Sequence, residues 1–218
     1  MSVEIAAIVD RVPRALPTAV RAIADGPYLL VEDAAGGRAP SAERLLARHA
    51  LIDAASREVA CLPCRYGGTL PDDAAALAWL AERRERVSGA LARVKGRSEV
   101  DLRLRPAGPP RADPSLAGDG PGARYLREVA ARYAVVDRAL LEGIAERARA
   151  AVGGAADLIV DADGGHVAFL LARDEVAAFL ATARASGIDR TLPDGVAARW
   201  SGPWPAYTFA AAWLGDGS

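Results

Sequence analysis

Long apolar runs are absent from this 218-residue chain, and cysteine and histidine are scarce, with two of each. No uninterrupted apolar stretch approaches the roughly 20 residues that cross a bilayer, so no membrane partner is expected. The opening MSVEIAAIVDR lacks the charged head, apolar core and small-residue cleavage site of a secretory leader, which points to a cytoplasmic protein. The two cysteines, Cys61 and Cys64, are expected as thiols in such a reducing compartment. His49 and His166 are the only histidines, which leaves zinc one possible all-Cys/His tetrad. Lys95 is the single lysine among arginines, in an alanine-rich chain; that bias reads as codon usage rather than phosphate recognition. Lysine and arginine total 27 against 28 acidic residues, and so balanced a charge excludes a general basic field for nucleic acid. Neither a dinucleotide fingerprint, a P-loop nor a G-x-S-x-G elbow occurs; Gly36-Gly37 and Gly164-Gly165 read as turn glycines.

What is present is the composition of a folded globule, 51% apolar and 25% charged, long enough for one or two domains. Val3 to Val9 and Tyr28 to Glu32 read as strands, with a proline-punctuated stretch from Pro13 to Ala24 between them. Ser41 is an N-cap for a helix running to about Arg57, with Leu45, His49 and Ile52 on its apolar face. Val59 to Leu62 is a strand leading into the RYGG turn. Asp72 caps a helix striped by Leu77, Leu80, Val87, Leu91 and Val94 and ended by Gly96. Glu99 to Leu104 alternates as a half-exposed strand. The segment PAGPPRADPSLAGDG then reads as a linker, which divides the chain into domains at 1–105 and 122–218 with a flexible connection at 106–121. A helix from near Pro121 carries Leu126, Val129, Tyr133, Val136, Leu140 and Ile144 at spacings of three and four. Asp157 to Asp161 and His166 to Ala172 form a hairpin around DADGG. Asp174 caps a helix ending at Gly187, and Val196 to Trp200 is the last strand. The expected fold class is α+β, in two small ferredoxin-like sandwiches of antiparallel or mixed sheet with helices.

The segment GPWPAYTF, Gly202 to Phe209, follows that strand. Its two prolines fix φ and remove two backbone donors, so it is not an ordinary central strand. Trp204, Tyr207 and Phe209 bring large rings at low entropy cost, suited either to plugging a core or to anchoring an interface. The segment resembles the GPWPPYSF signature of the gas vesicle GvpL/GvpF family. LPCRYGG, Leu62 to Gly68, resembles that family's LPxRFG turn, placing Arg65, Tyr66 and Gly67 in the motif. His49 lies where the family carries a histidine, KGRSEVDLRL is similar to its acidic-then-strand stretch around Glu99, and GARYL to the start of its central helix. The opening EIAAIVD departs from the family's aromatic YxYGIV-like run. The resemblance implies a two-domain α+β accessory protein, without catalytic activity or cofactor, associated with the gas vesicle. Its implied partners are the very hydrophobic GvpA-type major shell subunit, whose aggregation it limits, and other gas vesicle accessory proteins.

The rival reading is a redox or ligand-binding α+β protein using the Cys61/Cys64 turn. Redox chemistry wants the first thiol at a helix N-terminus, whereas Arg65 to Gly68 signals a turn, so two buried thiols are the simpler reading. His49 reads as a boundary histidine held by one hydrogen bond. Asp161 and Asp163 read as solvated turn residues, and the run ERRER as an exposed helix face.

Overall fold

The computed structural model describes residues 2–24, 26–34, 41–106, 138–151, 156–161, 165–188, 192 and 196–215. The protein is α+β, with two antiparallel sheets and, among the described residues, five helices. It divides into two compact units. One joins residues 1–99 to 203–218; the other is 100–202. The expected division put 106–121 between the domains and the aromatic tail in the second; the tail instead belongs to the unit built from the N-terminal half. Residues 107–137, which hold most of the expected linker and the start of the central helix, lie outside the described residues.

In the first unit, β1 (Val3–Val9) is central: β3 (Tyr28–Asp33) flanks it on one side, β4 (Cys61–Pro63) and β5 (Thr69–Leu70) on the other. β2 (Val20–Ile23) pairs with β3 at the outer edge. This strand falls in the proline-punctuated stretch from Pro13 to Ala24, where no strand was expected; its ladder to β3 supplies what local propensity does not. All seven residues of β1 are buried, which requires cover on both faces. α1 (Ala42–Glu58) packs Leu51, Ile52 and Ala55 with Ala7, Val9, Leu30 and Cys61. Ile8, Leu29 and Leu62 alternate with these and are fully buried. α2 (Asp73–Val94) lies against β1 and β4 and buries Leu80, Val87, Leu91 and Val94. Both expected caps are present: the Ser41 hydroxyl accepts from the Arg44 N–H, and the Asp72 carboxylate from that of Ala75. The expected apolar face of α1 is shifted by part of a turn: Leu45 is exposed and Arg48 is buried in its place. Leu77 of α2 is likewise at the surface.

The second unit is built from β6 (Arg97–Pro106), α3 (Arg138–Ala151), β7 (Asp157–Asp161), β8 (His166–Ala172), α4 (Val176–Ala185) and β9 (Val196–Trp204). Its strand order is β7-β8-β6-β9. Every second residue faces one core: Val100, Leu102 and Leu104 from β6, Val167, Phe169 and Leu171 from β8. Phe169, Phe179 and Trp200 meet there with ring centroids 5.1–5.8 Å apart. The expected half-exposed alternation holds in the later part of β6, where Arg103 and Arg105 are exposed, but not earlier, where Glu99 and Asp101 are buried too. Asp174 does not cap α4: the N-cap is Glu175, with no side-chain cap bond. The turn residues 162–164 lie outside the described residues.

Candidate functional site: the aromatic clasp

The GPWPAYTF segment changes structure partway. β9 continues through Gly202 and Pro203 to Trp204 on the outer edge of its sheet, where proline is tolerated. The chain then turns at Ala206, whose φ of −74° and ψ of 62° are those of an inverse γ-turn, closed by the Tyr207 N–H donating to the Pro205 carbonyl at 2.7 Å. α5 (Tyr207–Leu214) begins at once, a helix that the sequence reading missed. It packs on α2 and β4, burying Phe209, Ala210 and Leu214. Of the three rings offered as core plug or anchor, Phe209 is the plug at 1% exposure, Tyr207 is half-buried, and Trp204 stands at the surface at 37%.

Two residues from distant segments hold this turn. His49 of α1 shares a 2.9 Å hydrogen bond between Nδ1 and the Tyr207 hydroxyl. Its ring lies stacked on Tyr207 with centroids 6.0 Å apart and edge-on to Trp204 at 5.7 Å. Burial, foremost, pushes the Tyr207 phenol up to about 12, with the Cys61, Asp53 and Glu99 groups adding and Arg48 opposing. The buried Glu99 carboxylate, at the start of β6, accepts from the Thr208 N–H at 2.9 Å and from its hydroxyl at 2.8 Å. It therefore caps a helix whose own N-cap residue, Ala206, has no side-chain acceptor.

The RYGG turn is organised by a second buried acid. Glu4, 4% exposed near the start of β1, accepts from Arg48 and, at 2.7 Å, from the Gly67 N–H. Arg48 also donates to the Ile5 carbonyl. The Tyr66 ring lies under the Arg44 and Arg48 guanidinium groups, 5.7 and 5.2 Å from its centroid. Gly67 has φ of +87°, a conformation that explains glycine here. Arg65 is exposed and belongs to neither network. Sequence reasoning singled out Tyr66, Gly67 and His49 but not Glu4, Arg48, Glu99 or Thr208. The available clue was a charge inside an otherwise apolar strand, VEIAAIV, matched by an arginine in the phase of a buried helix stripe.

Cys61 and Cys64 are buried and form no disulfide. Burial pushes the Cys64 thiol up to about 12 against the opposing pull of Arg48, and no helix starts beside it. A thiol held protonated in that way is a poor redox nucleophile. His166 sits in the second unit, 3.4 Å from Asp161. Among the described residues no three His, Cys, Asp or Glu side chains gather as a metal site, and no helix is long and apolar enough to cross a membrane.

These side chains form a clasp in an α+β scaffold, with the partly exposed Trp204 ring at its edge. The model of the gas vesicle synthesis protein GvpL/GvpF family matches residues 2–211, and the chain belongs to that family. Its fold is similar to that of the gas vesicle protein GvpF from Microcystis aeruginosa, with a TM-score of 0.65 at 15% identity over 96% of this chain and 98% of that one. GvpF from Anabaena sp. PCC7120 is similar to the same extent, with a TM-score of 0.63 at 15% identity and the same coverage. No curated protein sequence matches the chain.

Proposed function

We propose that this protein is a cytoplasmic, gas-vesicle-associated assembly factor that binds the hydrophobic GvpA-type shell subunit, limits its aggregation before incorporation, and works alongside other accessory proteins. In this reading the second unit is the ferredoxin-like domain of the family's two-domain plan. The observation that carries the proposal is an exposed apolar surface next to the clasp. Leu45 and Leu46, 45% and 68% exposed, sit one turn from His49 on α1, and His49 touches Trp204. A shell subunit that lines a gas space exposes apolar surface before assembly, and an aromatic ring beside two leucines is the kind of centre that such a contact needs. The Cys61/Cys64 redox alternative is disfavoured by the burial and raised pKa of Cys64.

The test is co-purification of a tagged shell subunit with the wild-type chain and with Trp204→Ala and Leu46→Ser. The expected result is recovery with wild type and at least tenfold less with either variant, at unchanged melting temperature. Equal recovery with the variants removes this surface from the proposal, and no recovery with wild type removes the role itself.

A further inference from the structure

α5 carries no charged residue: its sequence is YTFAAAWL. Charges contributed by other elements nevertheless mark both its ends, with the signs that suit a helix dipole. At its N-terminus the Glu99 carboxylate accepts two hydrogen bonds from Thr208. At its C-terminus Arg86 lies 3.5 Å from the Leu214 carbonyl, and the Arg93 guanidinium stands 3.9 Å from the centre of the Trp213 ring. An acid at the N-terminal end and two arginines at the C-terminal end select an orientation. Between them, α2 and β4 offer an apolar floor that buries Phe209, Ala210 and Leu214. The receiving surface thus has the three properties of a helix-binding groove: a polar reader at each end and an apolar floor between.

The occupant of this groove is short. Eight residues are well below the length at which a helix is stable alone in water, so α5 is helical only because the groove holds it. A partner helix of the same length and chemistry would meet the same end groups and the same floor. We propose that this groove is a receptor for an uncharged apolar helix of a partner, and that α5 is its occupant in cis, displaced when the partner helix binds. The biological partner rests on the assembly role proposed above, whereas the groove and its occupant do not. Displacement would also part Tyr207 from His49, loosening the edge that presents Trp204.

The probe is a synthetic peptide of residues 205–214 with a fluorophore and a neutral solubilising tail, titrated into the full chain and followed by anisotropy. Phe209→Ala loosens α5 while leaving the groove intact. The expected result is saturable binding at least tenfold tighter to Phe209→Ala than to wild type, and loss of that binding when Glu99→Gln is added. Absence of saturable binding to the folded variant, or equal affinity for wild type and variant, overturns the proposal. If Phe209→Ala does not fold, Trp213→Ala, at a half-exposed position, takes its place with the same two outcomes. The titration contains no shell subunit. Failure here with successful co-purification sinks the groove alone, and the reverse result sinks the assembly role alone.

Discussion

Glu99 stands in a strand whose alternation of charged and apolar residues suggests surface, and Glu4 is the single charge in an apolar strand; both are buried because each completes a turn made elsewhere in the chain. Thr208 bonds to Glu99 across 109 positions of sequence, so no local pattern announces the pair. Ser41 and Asp72 were legible for the opposite reason: each caps a backbone N–H three residues on, and the physics is contained in the sequence window. The signature's serine-for-threonine variation keeps the hydroxyl that Glu99 accepts. Thr208→Ser is therefore expected to be near neutral in chemical denaturation, while Thr208→Ala costs about 1 kcal/mol. Two groups set an alkaline limit. Tyr207 and Cys64 are each pushed up to about 12 from 10.0 and 9.0, so the folded protein holds these protons after the unfolded chain has released them. Their contribution is full below pH 9 and is lost as the pH rises through 12. A melting series should be flat in this respect up to pH 9 and then decline, more shallowly for Tyr207→Phe between pH 10 and 12. Equal slopes for the two chains would show that the phenol is not held neutral by the fold.

Among elements, the helices with strong local punctuation were read nearly to their ends: α1 and α2 keep the expected caps, and Gly96 takes a φ of +71° after α2. The phase of α1 was misread, because an arginine occupies its buried stripe and only the distant Glu4 makes that tolerable. β2 and α5 were not legible: one exists through its ladder to β3, the other through the surface that receives it. The tail's prolines were correctly read as excluding a central strand, but the same residues hid the helix that follows them. Position 206 offers a direct check. The family signature has proline there, and Ala206 already holds φ at −74°, within the range a proline ring imposes. Ala206→Pro is expected to raise stability by about 0.4–1 kcal/mol through the unfolded chain. A lower denaturation midpoint would mean that the buried site has no room for the ring.

At the scale of the whole molecule, the second unit is an insertion within the first: the chain leaves after Glu99 and returns at Pro203. Composition and linker chemistry cannot reveal a return, since the tail's partners lie in the other half of the sequence. A chain in which a short Gly/Ser linker replaces residues 100–202 is expected to melt cooperatively. Residues 1–99 alone, lacking Phe209 and Leu214, should melt roughly 10 °C lower or more, a shift that ~2 kcal/mol produces in a domain of this size. Equal melting would show that α5 adds nothing to the first unit.

The insertion also has a consequence in time. Chains emerge from the ribosome N-terminus first, at about 5–20 residues per second. The sheet and two helices that receive α5 are complete once Glu99 has been made, but their last element is separated from them by all of residues 100–202. For about 5–20 s of every synthesis the floor beneath Phe209 is therefore uncovered on the nascent chain, open to whatever apolar segment is nearby.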